Sequence, residues 1–297
     1  MLAYAKAHSR FYKNLLRDID PGEIRTAEDL LGIPYTDEND LAGNELEFLC
    51  VDQKEVSRIV TVPTTGTSGR QKRISFTRND QLSTMIFVGV GFKTLVTPPA
   101  TMLVMMSGGT EGSIGRTVEK ALESMGIQTF IYGTITAVDE AYEYMRKCRP
   151  NTIVGVPHQI AALSRYGLMF GNPEAEHIDS VLLSADDIPE SLRQSISKLW
   201  GCQVFNHYGM TEFGIAGGVE CEGFSGYHTR DCDLLFEIIN PDQTLWKQIA
   251  KLRVWMIWIS IVYILQQAAA VMILVCCRVG TALTWPLRVM AFFLAAN

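Results

Sequence analysis

Met102-Leu103-Val104-Met105-Met106 is an unbroken apolar run that passes into Ser107-Gly108-Gly109. A run this short, closed by turn residues, reads as a buried strand. The next apolar residues, Val118, Ala121, Leu122 and Met125, recur at three- and four-residue intervals, which is one face of a helix. The alternation continues downstream. Ile127–Ile131 reads as a strand, and Val138, Ala141, Tyr142 and Met145 mark a second helix. Thr152–Val156 reads as a strand with a helix from about Pro157. Val181–Ser184 is a further strand, and the helix after it has Pro189 near its start and Asp187/Glu190 as a capping pair. Gln203–Phe205 is a last short strand. Strands and helices alternating at this spacing predict βαβ units. The fold class is therefore α/β, with mostly parallel sheets and flanking helices. Ligands of such sheets bind beyond the carboxyl ends of the strands.

Upstream, residues 1–56 read as helical and irregular, with Ile33-Pro34-Tyr35-Thr36-Asp37 as a turn before a short helix. Residues 57–62 read as a strand. It runs into Thr64-Thr65-Gly66-Thr67-Ser68-Gly69-Arg70-Gln71-Lys72, a loop of four hydroxyls, two glycines and two cations. Glycines let backbone N–H groups approach an anion, hydroxyls add donors, and Lys72 supplies a point charge. That composition suits a polyphosphate cradle and equally a solvated Ser/Thr turn. The GxxxxGK[ST] pattern is absent, so it is not a Walker A loop. A second segment, Asn206-His207-Tyr208-Gly209-Met210-Thr211-Glu212, follows the last short strand. Its aromatic ring can stack on a base, its hydroxyl can reach a phosphate and its carboxylate can hold Mg²⁺.

The chain has 297 residues and a formal charge of −6, which argues against a general nucleic-acid binder. With 47% hydrophobic and 20% charged residues, most of it can bury a core. The charge is unevenly divided. No Asp or Glu follows Asp242, whereas Lys247, Lys251, Arg253, Arg278 and Arg288 do. Residues 1–242 hold the other 21 bases against all 32 acids, a net −11 beside +5 for residues 243–297. Two compositions in one chain predict two regions, 1–242 and 243–297. Met1–Tyr12 contains no apolar run of signal-peptide length, and the seven cysteines include no CxxC pair. Reduced thiols in a cytoplasmic protein are expected. Cys221, His228 and Cys232 are possible zinc ligands, at an unusual spacing.

Together and in this order, the two loop segments resemble the adenylate-forming superfamily of acyl-CoA synthetases, adenylation domains and luciferases. That superfamily carries a T-[ST]-G-T-[ST]-G-x-P-K loop followed by Y-G-x-T-E. This chain matches at Thr64–Lys72 and Tyr208–Glu212 and departs at Gln71, where the family has Pro. His8-Ser9-Arg10-Phe11-Tyr12, Ile33-Pro34-Tyr35-Thr36, Gly155-Val156-Pro157 and Gly226-Tyr227-His228 are similar to the phenylacetate-CoA ligase-like branch. The resemblance covers about residues 1–242. It implies attack of a small-molecule carboxylic acid on the α-phosphate of ATP, then transfer of the acyl group to coenzyme A. By the same resemblance, Thr64, Thr65, Gly66, Thr67, Ser68, Gly69 and Lys72 cradle the β- and γ-phosphates. Ser184, Ala185 and Asp186 lie against the adenine, Tyr208 with Gly209 stacks on it, Thr211 binds the α-phosphate and Glu212 holds Mg²⁺. Gly108–Gly115 lies near the acyl pocket in that family, so a pocket-mouth role stands beside a plain turn. His158 is a pocket-lining residue or a structural histidine. Met102, Met105 and Met106 read as core.

After Asp242 the family continues with a ribose-binding Asp, a hinge and a small domain carrying a catalytic Lys; none is recognisable in residues 243–297. Val254–Cys277 is instead 24 residues without a formal charge, a membrane-span candidate by length. A frameshift is the preferred reading. If each codon of Val279–Thr284 starts at its third base, the triplets permit Arg-Tyr-Arg-Thr followed by Asp or Asn. Ile264–Gln267 permits Tyr-Phe-Thr-Thr in the same frame. The expectation is a C-terminally truncated adenylate-forming enzyme that binds nucleotide with little ligase turnover. The alternative is a membrane-anchored, non-catalytic nucleotide-binding protein of the same fold, and an unrelated α/β nucleotide binder is a third reading.

Overall fold

The computed structural model describes residues 2–26, 28–36, 38–63, 71–93, 95–172, 176–186, 188–224, 226–230, 234–239, 245–248, 272–277 and 287–292. The chain divides into two units. One comprises residues 1–83, 210–215 and 229–297; the other comprises 84–209 and 216–228.

The first unit opens with α1 (Leu2–His8) and α2 (Arg10–Leu15). Ser9 caps α2 in both directions: its Oγ accepts the Tyr12 N–H at 3.2 Å and donates to the Glu47 carbonyl at 2.7 Å. Tyr12 is fully buried beside Phe48, which stacks on Phe11 at 3.9 Å between ring centroids. A short α3 (Glu38–Leu41) follows the Ile33–Thr36 turn. Next come the antiparallel strands β1 (Val56–Pro63) and β2 (Gln71–Thr77), with Val62 opposite Lys72 and Pro63 opposite Gln71. Along β2, Lys72, Ile74 and Phe76 are buried while Gln71 and Arg73 are exposed. The period of two thus places a lysine on the apolar face. Thr77 then starts α4 (Arg78–Phe92) with a reciprocal cap. Asp80 accepts the Thr77 N–H at 2.6 Å, and the Thr77 hydroxyl accepts the Asp80 N–H at 3.2 Å.

The second unit holds β3 (Thr101–Met105), α5 (Ile114–Glu123), β4 (Gln128–Ile131), α6 (Val138–Cys148), β5 (Thr152–Gly155), α7 (Pro157–Phe170), β6 (Ser180–Ser184), α8 (Glu190–Trp200) and β7 (Gln203–Tyr208), then β8 (Gly218–Glu220) and β9 (Tyr227–Thr229). The seven-stranded sheet has the order β4-β3-β5-β6-β7-β8-β9. Its first five strands are parallel, and β8 is antiparallel to β7. Alternate side chains supply two cores. Leu103, Met105, Ile153, Val181, Leu183 and Val204 pack with residues of α6, α7 and α8. Met102, Val104, Val154, Leu182 and Phe205 pack with residues of α4 and α5. Each such buried aliphatic or aromatic side chain contributes about 1.5–3 kcal/mol of transfer free energy. The predicted α/β class, the mostly parallel sheet and the flanking helices are therefore what the chain forms. Because β4 and β5 lie on opposite sides of β3, the chain reverses its winding direction there.

Polar groups sit at the strand ends rather than between the cores. Asn151 accepts the Thr101 N–H at 2.9 Å and donates to Asp179 at 3.1 Å. Thr152 and Ser180 share a buried hydroxyl bond of 3.1 Å. Tyr142 and Trp200 both donate to Glu176, the indole at 2.8 Å. Burial and this carboxylate push the Tyr142 phenol up to about 12.

Two local expectations change. Helix α8 has Pro189 at its N-cap, with no side-chain cap, so Glu190 is the first helical residue. It stands two residues short of the third helical position that a capping partner takes; Asp187 itself lies outside the described residues. Strand β7 extends to Tyr208 rather than Phe205, because His207 and Tyr208 pair with Val219 and Gly218. The remaining strands, β10 (Leu234–Ile239), β11 (Leu245–Gln248), β12 (Met272–Cys277) and β13 (Leu287–Phe292), form an antiparallel sheet of order β11-β10-β13-β12 in the first unit. The last six residues of the apolar stretch 254–277 are thus a strand. Residues 254–271 lie outside the described residues, among which no helix is long and apolar enough to cross a membrane.

Candidate functional site

Within the first unit, Lys72 and Glu212 meet. Lys72 reaches inward from β2, and Glu212 lies in a 3₁₀ turn, Thr211–Phe213. Their side chains form an ion pair and are only 11% and 4% exposed. A charge buried this far is tolerated only when paired. The turn is held by its backbone: the Gly214 N–H bonds to the Thr211 carbonyl at 3.2 Å and the Ile215 N–H to Met210 at 2.7 Å. Gly214 and Ile215 have φ of 85° and 76°. Left-handed backbone is easy for glycine and strained for a β-branched residue, so the segment after Glu212 is held against its own preference. Thr211 is half-buried at the head of the turn. Lys72 and Glu212 are the last residues of the two motifs, so the fold joins these motifs through opposite charges. The Lys72 signal was readable in the inward alternation with Ile74 and Phe76; the identity of its partner was not.

Within the second unit, Ser184 and Tyr208 end the neighbouring parallel strands β6 and β7. Ser184 is in register with His207, and its Oγ lies 2.8 Å from His207 Nδ1. Desolvation pushes the imidazole down to about 4, so the ring is neutral near pH 7. Ala185, immediately after Ser184, has φ of 74°, and the chain turns sharply there. Asp186 follows, exposed, with its Oδ2 3.9 Å from Nδ1 of His158 in the first turn of α7. His158 is itself 68% exposed, which does not fit a structural histidine. Tyr208 is half-buried, with its ring centroid 6.4 Å from that of Tyr227. Opposite it, Gly218 leaves room for Tyr227, whose Cβ would lie 3.1 Å from an added Cβ. The Tyr208 carbonyl accepts the Gly217 N–H at 3.0 Å, which fixes the strand up to Gly209.

Thr64, Thr65, Gly66, Thr67, Ser68 and Gly69 lie outside the described residues, as does Cys232 of the possible zinc set. Among the described residues no group of three or more His, Cys, Asp or Glu could hold a metal ion. Gly108 and Gly115 have a packing reason, whereas a Cβ on Gly109 would meet nothing within 4 Å. A Cβ on Gly108 would meet Ile131 at 2.3 Å, and the Gly115 N–H bonds to the Ser107 carbonyl at 2.8 Å. Met102, Met105 and Met106 are buried, as read. Burial pushes the Cys202 thiol up to about 12, so that cysteine is inert. The residue that the sequence reading passed over is His207. It stood inside the quoted motif, but its signal is positional, since only pairing of β6 with β7 sets it against Ser184.

No family model matches the chain. Over 255 residues it is 27% identical to a phenylacetate-coenzyme A ligase of Thermus thermophilus, covering 82% of this chain and 55% of that protein. A solved 2-hydroxyisobutyryl-CoA ligase, in complex with 2-HIB-AMP and CoA, superposes with a TM-score of 0.68 at 16% identity, covering 82% of this chain and 59% of the ligase. A long-chain-fatty-acid-CoA ligase from Archaeoglobus fulgidus gives 0.51 at 14% identity, over 66% of this chain and 40% of that one. The chain spans a little over half the length of the first two. Over that span it is similar to phenylacetate-coenzyme A ligase, and its fold is that of the solved acyl-CoA ligases.

Proposed function

We propose that the chain carries the nucleotide-handling portion of an ATP-dependent acid–CoA ligase. A carboxylate oxygen of the acid attacks the α-phosphorus of ATP, and pyrophosphate leaves. The thiol of coenzyme A then attacks the acyl carbonyl, giving the thioester and AMP. The observation that carries this reading is the buried Lys72–Glu212 ion pair. It joins the end of the hydroxyl-rich loop to the end of the Tyr-Gly-x-Thr-Glu segment, and each charge has a natural exchange partner in a metal-bound triphosphate.

Nucleotidyl transfer asks for little covalent work from the protein; positioning and charge stabilisation dominate. Lys72 neutralises charge on the β- and γ-phosphates, with Thr64–Gly69 as donors beside it. Thr211 donates its hydroxyl to the α-phosphate. Ser184, Ala185 and Asp186 receive the base, and Tyr208 stacks on it. Glu212 is a buried carboxylate paired with Lys72, a hard oxygen donor. Mg²⁺ is commonly held by one or two carboxylates with the remaining positions filled by phosphates and water, so Glu212 fits the ion. When bound, the ion offsets the charge of the leaving pyrophosphate. In its absence Lys72 and Glu212 neutralise one another, which keeps the site folded without ligand. The acid's identity rests on side chains beyond β3 and β5, and an aryl- or hydroxyacid is the class to test first.

The test is acid-dependent ATP–pyrophosphate exchange with Mg²⁺, using phenylacetate and 2-hydroxyisobutyrate, alongside AMP binding by calorimetry. Lys72→Ala and Glu212→Gln should each lower exchange by about 10²–10³-fold. If the wild-type chain binds neither ATP nor AMP, or both variants bind and exchange like wild type, the reading is wrong.

A further inference from the structure

Resting on that reading, we infer that His207 is a positioning residue for the nucleotide: it ties the strand end that receives the base to the strand that carries Tyr208. Ser184 is the last residue of β6 and His207 the penultimate residue of β7. Parallel pairing puts them side by side, on the same face, with Oγ and Nδ1 2.8 Å apart. Beyond Ser184 the chain leaves the sheet through Ala185, whose φ of 74° is a costly conformation for a residue with a Cβ. Nothing in that dipeptide's own preferences holds the turn, so it must be held from outside. The Ser184–His207 bond lies immediately before it. On the other strand, the Asn206 N–H is anchored to Glu220 Oε2 at 2.7 Å and the Tyr208 carbonyl to the Gly217 N–H at 3.0 Å. Histidine thus reaches from a strand fixed on both sides of it to a strand end that needs fixing.

The chemistry suits a permanent clamp rather than a switch. A neutral imidazole has one donor and one acceptor nitrogen, and a hydroxyl can complement either at Nδ1. The bond fixes the Ser184 hydroxyl on the His207 side and leaves it further hydrogen-bonding capacity toward the base. His207 touches no substrate in this account; it acts through the two segments that do.

The test is AMP binding to the 297-residue chain, by calorimetry, for His207→Ala, Ser184→Ala, the double variant and His207→Asn. Asparagine places an amide group where Nδ1 lies and can keep the bond. Loss of one neutral hydrogen bond corresponds to about a five- to tenfold rise in Kd. The expected result is that rise for each alanine variant, no further rise in the double variant, and His207→Asn within about twofold of wild type. Additive losses, an unchanged His207→Ala, or His207→Asn as weak as His207→Ala would overturn the inference and leave the proposed function standing. A wild-type chain that binds no nucleotide would overturn both. If His207→Ala does not fold, Ser184→Ala and His207→Asn decide the matter by the same criteria.

Discussion

The two polar pairs, one in each unit, are built on opposite principles. Lys72–Glu212 is ionic, buried, and made between a strand and a 3₁₀ turn. Ser184–His207 is neutral and made between adjacent strands already in register. Removing one member of the first leaves a bare charge in a low-dielectric setting. Removing one member of the second leaves at most an unsatisfied hydroxyl or ring nitrogen. The ionic pair therefore suits groups that must later be separated by a strongly charged ligand, and the neutral pair suits geometry that should stay fixed.

The largest test of that contrast is stability. Glu212→Leu should lose about 3–5 kcal/mol in urea unfolding, whereas Lys72→Met/Glu212→Leu together should recover most of it. A double variant as unstable as the single one would mean that the charges are not each other's main partner. The neutral pair predicts a pH effect of about 3 kcal/mol. The folded chain holds His207 near 4, below the usual histidine value, so the unfolded state binds the extra proton between about pH 6.5 and 4. Stability should fall as pH drops through that window, and less so in His207→Asn; equal slopes for the two would sink this assignment. A steric reference comes next. Gly108→Ala, which forces a Cβ against Ile131, should cost about 1–3 kcal/mol with no change in AMP affinity. The smallest effect is expected at the surface. Arg10 pairs with Glu47 at 3.4 Å, with side chains 83% and 44% exposed, and Arg10→Ala should change stability by less than about 0.5 kcal/mol.

The parallel sheet was legible because its signal is local. Runs such as Met102–Met106 and the three-and-four spacing of Val118, Ala121 and Leu122 carry their burial in their own pattern. The helix start at Glu190 was misread because Asp187 and Glu190 stand at the right spacing for a cap, while backbone geometry puts Pro189 in that place. Of the site, the residue types were readable and the pairings were not. Nothing in Lys72 or Glu212 names the other, since 140 positions separate them. His207 is the sharper case: its neighbour is Ser184 only because β6 and β7 lie side by side. The apolar stretch 254–277 is readable only at its end: Met272–Cys277 pairs with Leu287–Phe292 as a strand, and residues 254–271 lie outside the described residues.

One consequence follows from the two-sided sheet. With apolar residues on both faces, sliding β5 or β6 by one residue would exchange the cores and still bury greasy side chains, so hydrophobicity alone leaves the alignment degenerate. The degeneracy is broken at the tips, where Asn151 reads Thr101 and Asp179, Thr152 reads Ser180, and Ser184 reads His207. These few hydroxyls, amides and one imidazole act as the vernier of the sheet, and an insertion or deletion inside a strand would be felt first there.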